Sequence, residues 1–572
     1  MFPRKVHPEG SMHTPVLHNI YLAGVVGLSL LAAACGAAAT ATPPAAGAPP
    51  AQAGPTAMPK PTAIPTKVAV VRDKAVLVTS RETLALESLI TGCSNLNEFV
   101  CGETANEPLT WIDSTTFEVV VLSTVEGWQQ MDSNRWRFNL RRGVKFHNGE
   151  PWNAEAAKFG IDINGDQKVN RSSFRYHGEM TGQVIDEYTL DINCKETCPI
   201  FPNTAIFTGF QAPKYYQETP KEVRTRGNVG LGPYRVLEWR PGLDIRLEAF
   251  KDYLPNKHVD SQAPSIKNVT QVWRGEALVR AAMVKTGEAD WAMDIGFEGR
   301  KQVPAFKQSG TTEMFALIVD TVWHPELKKK QVRQALAHAI DCKALVQALY
   351  EGVPECVGNI SVRGTLGITP RNYAPYEYNP TLSKQLLKDA GYDPQNKLNI
   401  YVEANRVYRD VEFMEAVSKF WTEVGVTNEM RILEPSKHSE MRNSGCGKFG
   451  KEGLDCANRQ PPQPFASSSH VFTTATSNEM LDMQVLAFRR MGCYSILSRV
   501  CNAELQKKID TAIATPLGAQ RKQRMEELGD IAHDEVYFIP FFHNLLVYGI
   551  SSDLVWEPLY APRLRVNTMK FK

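Results

Sequence analysis

Along most of its length the chain alternates between stretches whose apolar residues recur every second position and stretches where they recur at helical spacing. That interleaving points to the α/β class, in which strands build a sheet and helices cover its faces. Residues 75–79 (AVLVT) read as a buried opening strand that leads into a polar loop at 80–83. Residues 136–140 (WRFNL) alternate as a half-buried strand does, and 144–147 lead to Asn148 and Gly149, the pair favoured in a type I′ turn. A helix is expected over 152–159 with Asn153 as its cap. Residues 234–239 and 244–248 form a second strand pair around a turn at 240–243. Helical periodicity covers 276–286, ending at Gly287, and 331–350, with Val332, Leu336, Ala339 and Ile340 on one face. Further helices are expected over 382–390, before Gly391, and 520–534, before an apolar strand at 537–542.

The first part of the chain reads differently. Arg4 and Lys5 precede residues 20–34, fifteen uncharged and mostly apolar positions. That run falls short of the ~20 residues a membrane span needs, and it fits the apolar region of a secretory signal. It ends in LLAAACG, where Cys35 follows three alanines, and this resembles a bacterial lipobox whose cysteine is acylated. Ala32 stands where such motifs usually carry leucine. Residues 36–66 are almost all Ala, Pro, Thr and Gly, with Lys60 as the only charge. Such a stretch cannot bury enough apolar surface to order itself, so residues 36–71 are expected to be a tether behind a leader at 1–35.

After the tether about 500 residues remain, enough for two or three domains. A composition of 43% apolar and 22% charged residues is that of a globular protein, and a net charge of +2 offers no support for nucleic-acid binding. Of 11 cysteines, ten remain besides Cys35, and they fall into five close pairs. These are Cys93 and Cys101, Cys194 and Cys198, Cys342 and Cys356, Cys446 and Cys456, and Cys493 and Cys501. In an exported chain five local pairs read as five small disulfide loops, although spacing alone does not prove the connectivity. Metal binding is the competing reading, but the sequence has no Cys-x-x-Cys, and no cysteine pair stands near a histidine pair at zinc-finger spacing.

Five segments stand out in order: 136–159 (WRFNLRRGVKFHNGEPWNAEAAKF), 230–253 (GLGPYRVLEWRPGLDIRLEAFKDY), 283–291 (MVKTGEADW), 332–341 (VRQALAHAID) and 376–392 (YEYNPTLSKQLLKDAGY). Together they resemble the extracytoplasmic solute-binding proteins of the oligopeptide, dipeptide and nickel ABC importers, family 5. The resemblance implies a two-lobed, type II venus-flytrap fold with an extra subdomain. Lobe I would comprise 72–91, 206–315 and 536–572, the extra subdomain 92–205 and lobe II 316–535. The hinge would lie near 316–321 and 537–541, and closure would bury the ligand between lobes. The implied role is the lipid-anchored, extracytoplasmic binding component of an importer, a monomer that takes peptides or another small polar solute and works with an ABC permease and ATPase. The same fold also suits a tethered receptor that presents its solute to a sensor protein, and a secreted hydrolase is the remaining alternative.

Relatives that bind peptides usually hold the ligand's amino terminus with an aspartate in a Trp-Gly-Asp-like segment, which is missing here. The corresponding stretch, 469–491, offers Glu479 and Asp482 as partners for a cationic ligand group, or as acids on a solvated helix face. Arg81, Glu82 and Thr83 after the first strand, Asp320 and Trp323 after the expected hinge, and His543 after the last strand are further cleft candidates. Residues 162–170 resemble the start of a calcium loop, but Gln167 and Ser173 stand where glycine and a bidentate acid are wanted, so a polar loop is expected. No catalytic motif, cofactor fingerprint or paired-histidine metal site is found.

Overall fold

The computed structural model describes residues 72–83, 86, 103–170, 174, 176–403, 406–446, 456, 471–559 and 563–572. The leader, the tether, Cys35, Cys93 and Cys101 lie outside the described residues, as do Ser173 and most of the segment before residue 471. No described helix is long and apolar enough to cross a membrane.

The opening strand β1 (Lys74–Thr79) forms where the apolar run places it. A short hairpin, β2 (Trp111–Ile112) with β3 (Val119–Val120), follows. Then β4 (Val125–Asp132), β5 (Arg135–Leu140), β6 (Met180–Asp186) and β7 (Thr189–Cys194) make a separate sheet in the order β4-β5-β7-β6. On β5, Trp136, Phe138 and Leu140 are buried, as the two-residue period requires. Helix α1 (Ala154–Asn164) starts at Asn153, whose side chain accepts from the Ala156 amide over 3.0 Å. The turn before it is not type I′. Gly149 alone has positive φ, at 89°, while its amide donates to Phe146 and Phe146 donates to Glu150. That is a turn with negative φ at His147 and Asn148, closed by a glycine bulge. Residues 162–164 complete α1, with Asp162 engaged by Lys158 and by the Gly182 amide, and 165–170 form the expected polar turn.

Apart from the pair Leu554–Val555 with Lys570–Phe571, the later strands join β1 in one ten-stranded sheet. Its first part contains β8 (Tyr234–Arg240), β9 (Asp244–Ala249), β10 (Asn268–Trp273), α2 (Ala277–Thr286) and β11 (Trp291–Ala292). Helix α2 stops at Gly287, whose φ of 79° only glycine adopts without strain. The long β12 (Ala305–Val319) leads to α3 (Lys330–His338), α4 (Cys342–Tyr350), α5 (Pro380–Asp389), β13 (Leu398–Glu403) and α6 (Asp410–Glu423). Then come β14 (Asn428–Leu433), α7 (Pro435–Arg442), β15 (Val471–Ser477), α8 (Ala503–Ala514), α9 (Ala519–Asp534) and β16 (Phe538–Ile550). The strand order is β14-β13-β15-β12-β16-β11-β1-β10-β9-β8, so β12 and β16 form an antiparallel ribbon joining two halves.

The single helix expected over 331–350 is two helices. The first ends at His338, and Asp341 caps the second by accepting from the Ala344 amide over 2.9 Å. The apolar face is nevertheless as expected, with Val332, Leu336, Ala339 and Ile340 all buried. Disulfides join Cys194 to Cys198, Cys342 to Cys356, Cys446 to Cys456 and Cys493 to Cys501.

Alternation along the ribbon sends side chains to two faces. On one face a continuous core crosses both halves, from Val78 and Ala292 through Phe315 and Leu317 to Val402 and Trp421. On the other face there are two cores. One contains Leu77, Val269 and Trp291, the other Met314, Ile318, Tyr401 and Leu528. The gap between these two cores is where a ligand can enter.

Candidate ligand-binding cleft

Register fixes what faces the gap. The pairing of β12 with β16 slips between Gly310 and Met314 and again between Phe315 and Ala316. Strands β1, β10 and β11 run parallel, and β11 lies antiparallel to β16, so their carboxyl ends point toward the first slip. From the other half β13, β14 and β15 are parallel, and β15 runs antiparallel to β12, so their carboxyl ends point there too. Clefts at the carboxyl ends of parallel strands are the usual ligand sites of open α/β sheets. The crossing therefore lies at about 310–314 and 543–545. The segment 316–319, where the hinge was expected, is hydrogen-bonded on both edges inside the second half.

His543 stands in this gap. Its Nδ1 lies 3.1 Å from the Thr311 carbonyl oxygen and its Nε2 lies 2.9 Å from the Tyr373 hydroxyl. Burial lowers its pKa to about 4, so the ring is neutral at pH 7. A carbonyl can only accept, so Nδ1 carries the proton and Nε2 accepts from Tyr373. Arg363 lies over the Tyr373 ring at 4.4 Å. Nearby, Glu313 holds Arg406 and accepts from Asn544 over 3.3 Å.

Of the three residues after β1, Arg81 is exposed and Thr83 is buried. Glu82 accepts from the Trp239 indole over 2.9 Å and from the Gly242 amide over 3.1 Å, so its carboxylate secures the β8–β9 hairpin. Glu479 follows β15 and lies 3.6 Å from Arg563, in a cavity of about 10 Å³ shared with Trp111, Ile112 and Ile206.

Asp482 has a different fate from either expectation. It is neither solvated nor open to a ligand cation, because Arg521 reaches its Oδ2 through Nε at 3.1 Å and Nη2 at 3.0 Å. Burial pushes its carboxyl pKa up while the Arg521 charge pulls it down. Asp320 and Trp323 also lie away from the cleft. β12 runs away from the crossing, so its carboxyl end is the far end of that half. There Asp320 accepts from the amides of Val322 and Trp323, and burial raises its pKa to about 6 against the pull of Arg499.

Sequence reading missed a group of buried and half-buried arginines in the second half. Arg442 ends α7, Arg490 donates to Thr474 Oγ1 over 3.2 Å, and Arg499 donates to the Met441 carbonyl oxygen over 2.7 Å. None of the three forms an ion pair within 4 Å among the described residues. Burial and the neighbouring positive charges lower Arg490 to about 9, and burial lowers Arg499 to about 10. The His438 ring lies 3.1 Å from the Glu403 carboxylate without the alignment of a hydrogen bond, and burial with the Arg442 charge lowers it to about 4. Nothing local in the sequence marks these residues, since each belongs to a different element.

The family model described as "Bacterial extracellular solute-binding proteins, family 5 Middle" matches residues 119–461. The glutathione-binding protein GsiB of Salmonella choleraesuis (strain SC-B67) is 28% identical over 287 residues, 47% of this chain and 52% of that protein. GsiB of Pectobacterium atrosepticum is 28% identical over 281 residues, 46% of this chain and 51% of that protein. The chain thus spans about half the length of the curated relatives it matches. Among solved structures, the ABC transporter substrate-binding protein CtaP of Listeria monocytogenes superposes with a TM-score of 0.73 at 17% identity, covering 88% of this chain and 99% of that one. NikZ of Campylobacter jejuni, in complex with Ni(L-His), gives 0.65 at 16% identity over 88% and 100%. The fold is the two-lobed one these structures share.

Proposed function

This chain belongs to the bacterial extracellular solute-binding proteins of family 5, and from that premise we propose that it is the lipid-anchored binding component of an ABC importer, taking a peptide or similar polar solute into the interlobe cleft and delivering it to the permease. The family is one of binding proteins rather than enzymes. The observation that carries the reading is the gap between the two cores at the β12–β16 crossing, where the carboxyl ends of the parallel strands converge from both halves. In this reading lobe I holds β1, β8–β11 and the end of β16, lobe II holds β13–β15, and the small four-stranded sheet is the extra subdomain. The resemblance to glutathione-binding proteins makes glutathione the first solute to try, and the missing Trp-Gly-Asp-like segment leaves the choice of ligand to the cleft's own residues.

A thermal-shift screen of glutathione, tri-alanine, simple sugars and Ni(L-His) tests the role. A true ligand raises the melting temperature by mass action, by about 2.7 kcal/mol of stability at a hundredfold excess over Kd. It also makes the particle more compact in small-angle scattering. If no solute class stabilises the protein, the reading fails. Anchoring at Cys35 is tested separately: Cys35→Ala should abolish incorporation of labelled fatty acid and release the protein from membranes.

A further inference from the structure

Away from the crossing strands, the two lobes meet at a second place on the cleft side. Arg563 lies beyond β16, in the part of the chain that packs with lobe I, and Glu479 lies in the lobe II loop after β15. Arg563 Nη1 is 3.0 Å from Glu103 Oε1 and Nη2 is 3.6 Å from Glu479 Oε2. Its guanidinium sits between the rings of Trp111 and Phe207, at 5.4 and 4.9 Å. Beside it, Asn203 Nδ2 donates to the Met480 carbonyl oxygen over 2.8 Å. Met480 and Leu481 pack against Ile112, Ile206 and Phe207.

We propose that Glu479 and Arg563 are a closure clasp, holding lobe II against the extra subdomain and the C-terminal segment whatever charge the ligand carries. The proposal rests on the solute-binding reading and assigns Glu479 to positioning the lobes rather than to ligand recognition.

Four features support it. Arg563 and Glu103 belong to the same side of the contact, so the guanidinium keeps a carboxylate partner and two flanking rings when lobe II moves away. It is a preformed socket, and a planar guanidinium held this way loses little freedom on meeting a second carboxylate. Glu103 and Arg563 are nearly buried, with side chains 3% and 10% exposed, so the charges act with less screening than a surface pair. The cavity beside Glu479, about 10 Å³, has room for roughly one water and not for the body of a peptide-sized ligand. The apolar contacts of Met480 and Leu481 would be exposed by opening, which gives the clasp a hydrophobic part as well.

The test compares Glu479→Arg, Arg563→Glu and the double swap, all made in a Glu103→Gln background so that a carboxylate at 563 does not face Glu103, by small-angle scattering, with tri-alanine and N-acetyl-tri-alanine as binding probes. Each single change should expand the protein, and the double swap should restore compactness. Glu479→Gln and Arg563→Gln, milder changes that keep other contacts, should each weaken both probes about tenfold, mainly through faster dissociation. Failure of the swap to restore compactness overturns the clasp. So does a Glu479→Gln effect confined to tri-alanine, which would make Glu479 the receptor for a free amine. If the swap rescues compactness while no solute binds the wild type, the clasp stands and the solute-binding reading falls.

Discussion

The Tyr373 hydroxyl donates to Nε2 of His543 across the cleft side of the ribbon, at 2.9 Å, and this fixes a neutral ring at the centre of the candidate site. The linkage to pH follows from the lowered pKa. Burial holds His147, His438 and His543 at about 4, against 6.5 when unfolded. Between those values the unfolded chain binds protons that the folded chain does not, so their contribution is complete above pH 6.5 and is lost as pH falls toward 4. Each ring contributes roughly 1–3 kcal/mol. Asp320, raised to about 6, works in the opposite sense below pH 6 and offsets part of one ring. The melting temperature should therefore drop steadily from pH 7 to pH 4.5, and less so in His543→Gln. A melting temperature that rises on acidification would contradict this account.

The Asp482–Arg521 pair predicts a stability defect without a binding defect. Both side chains are at most 2% exposed, and Arg521 also donates to the carbonyl oxygens of Ala512, Ile513 and Thr515. Asp482→Ala leaves that cation buried with only neutral acceptors and should cost about 3–5 kcal/mol in urea unfolding. Affinity for any solute found in the screen should stay within twofold.

Arg490 predicts the reverse sign. It is buried beside Arg442 and Arg499, and its side-chain hydrogen bonds among the described residues go to neutral oxygens, Thr474 Oγ1 and the Leu497 carbonyl. Replacing an uncompensated buried charge by an apolar group of similar length should stabilise, by about 1–3 kcal/mol for Arg490→Met. The urea midpoint at constant m-value measures this, and a lower midpoint would show that the two hydrogen bonds outweigh the charge.

The disulfide between Cys342 and Cys356 closes a loop against the ribbon, since Cys356 bridges to Phe542 and the Val357 amide donates to the Phe541 carbonyl oxygen over 3.0 Å. Changing both cysteines to serine should cost about 3 kcal/mol in the loop-entropy account. Calorimetry of the double variant, beside wild type with and without reductant, measures it, and an unchanged melting temperature would contradict it.

Local pattern revealed the local features. The two-residue period at 136–140, the hairpin across 240–243 and the helix stop at Gly287 each follow from a few adjacent residues. The break at Asp341 was hidden because the apolar face continues through it, and only the capping side chain interrupts the helix. The site was less legible. Glu82, Asp320 and Asp482 are acids whose partners lie in distant segments, so their roles depend on strand direction and packing that no period encodes. Arg563 carried no signal for the same reason, although Glu479, its partner across the cleft, was visible as an acid in the segment after β15.

The ribbon of β12 and β16 has a mechanical consequence. Its hydrogen bonds lie in its own plane, so it resists stretching and sideways shear while bending readily out of plane. The continuous core behind it acts as a spine, and the register slip at 310–314 is where its hydrogen-bond ladder is interrupted. In the solute-binding reading, movement of one lobe against the other would therefore bend the ribbon near this slip. A small angular change at the slip is magnified, by lever arm, into a wide separation at the rim where Glu479 meets Arg563.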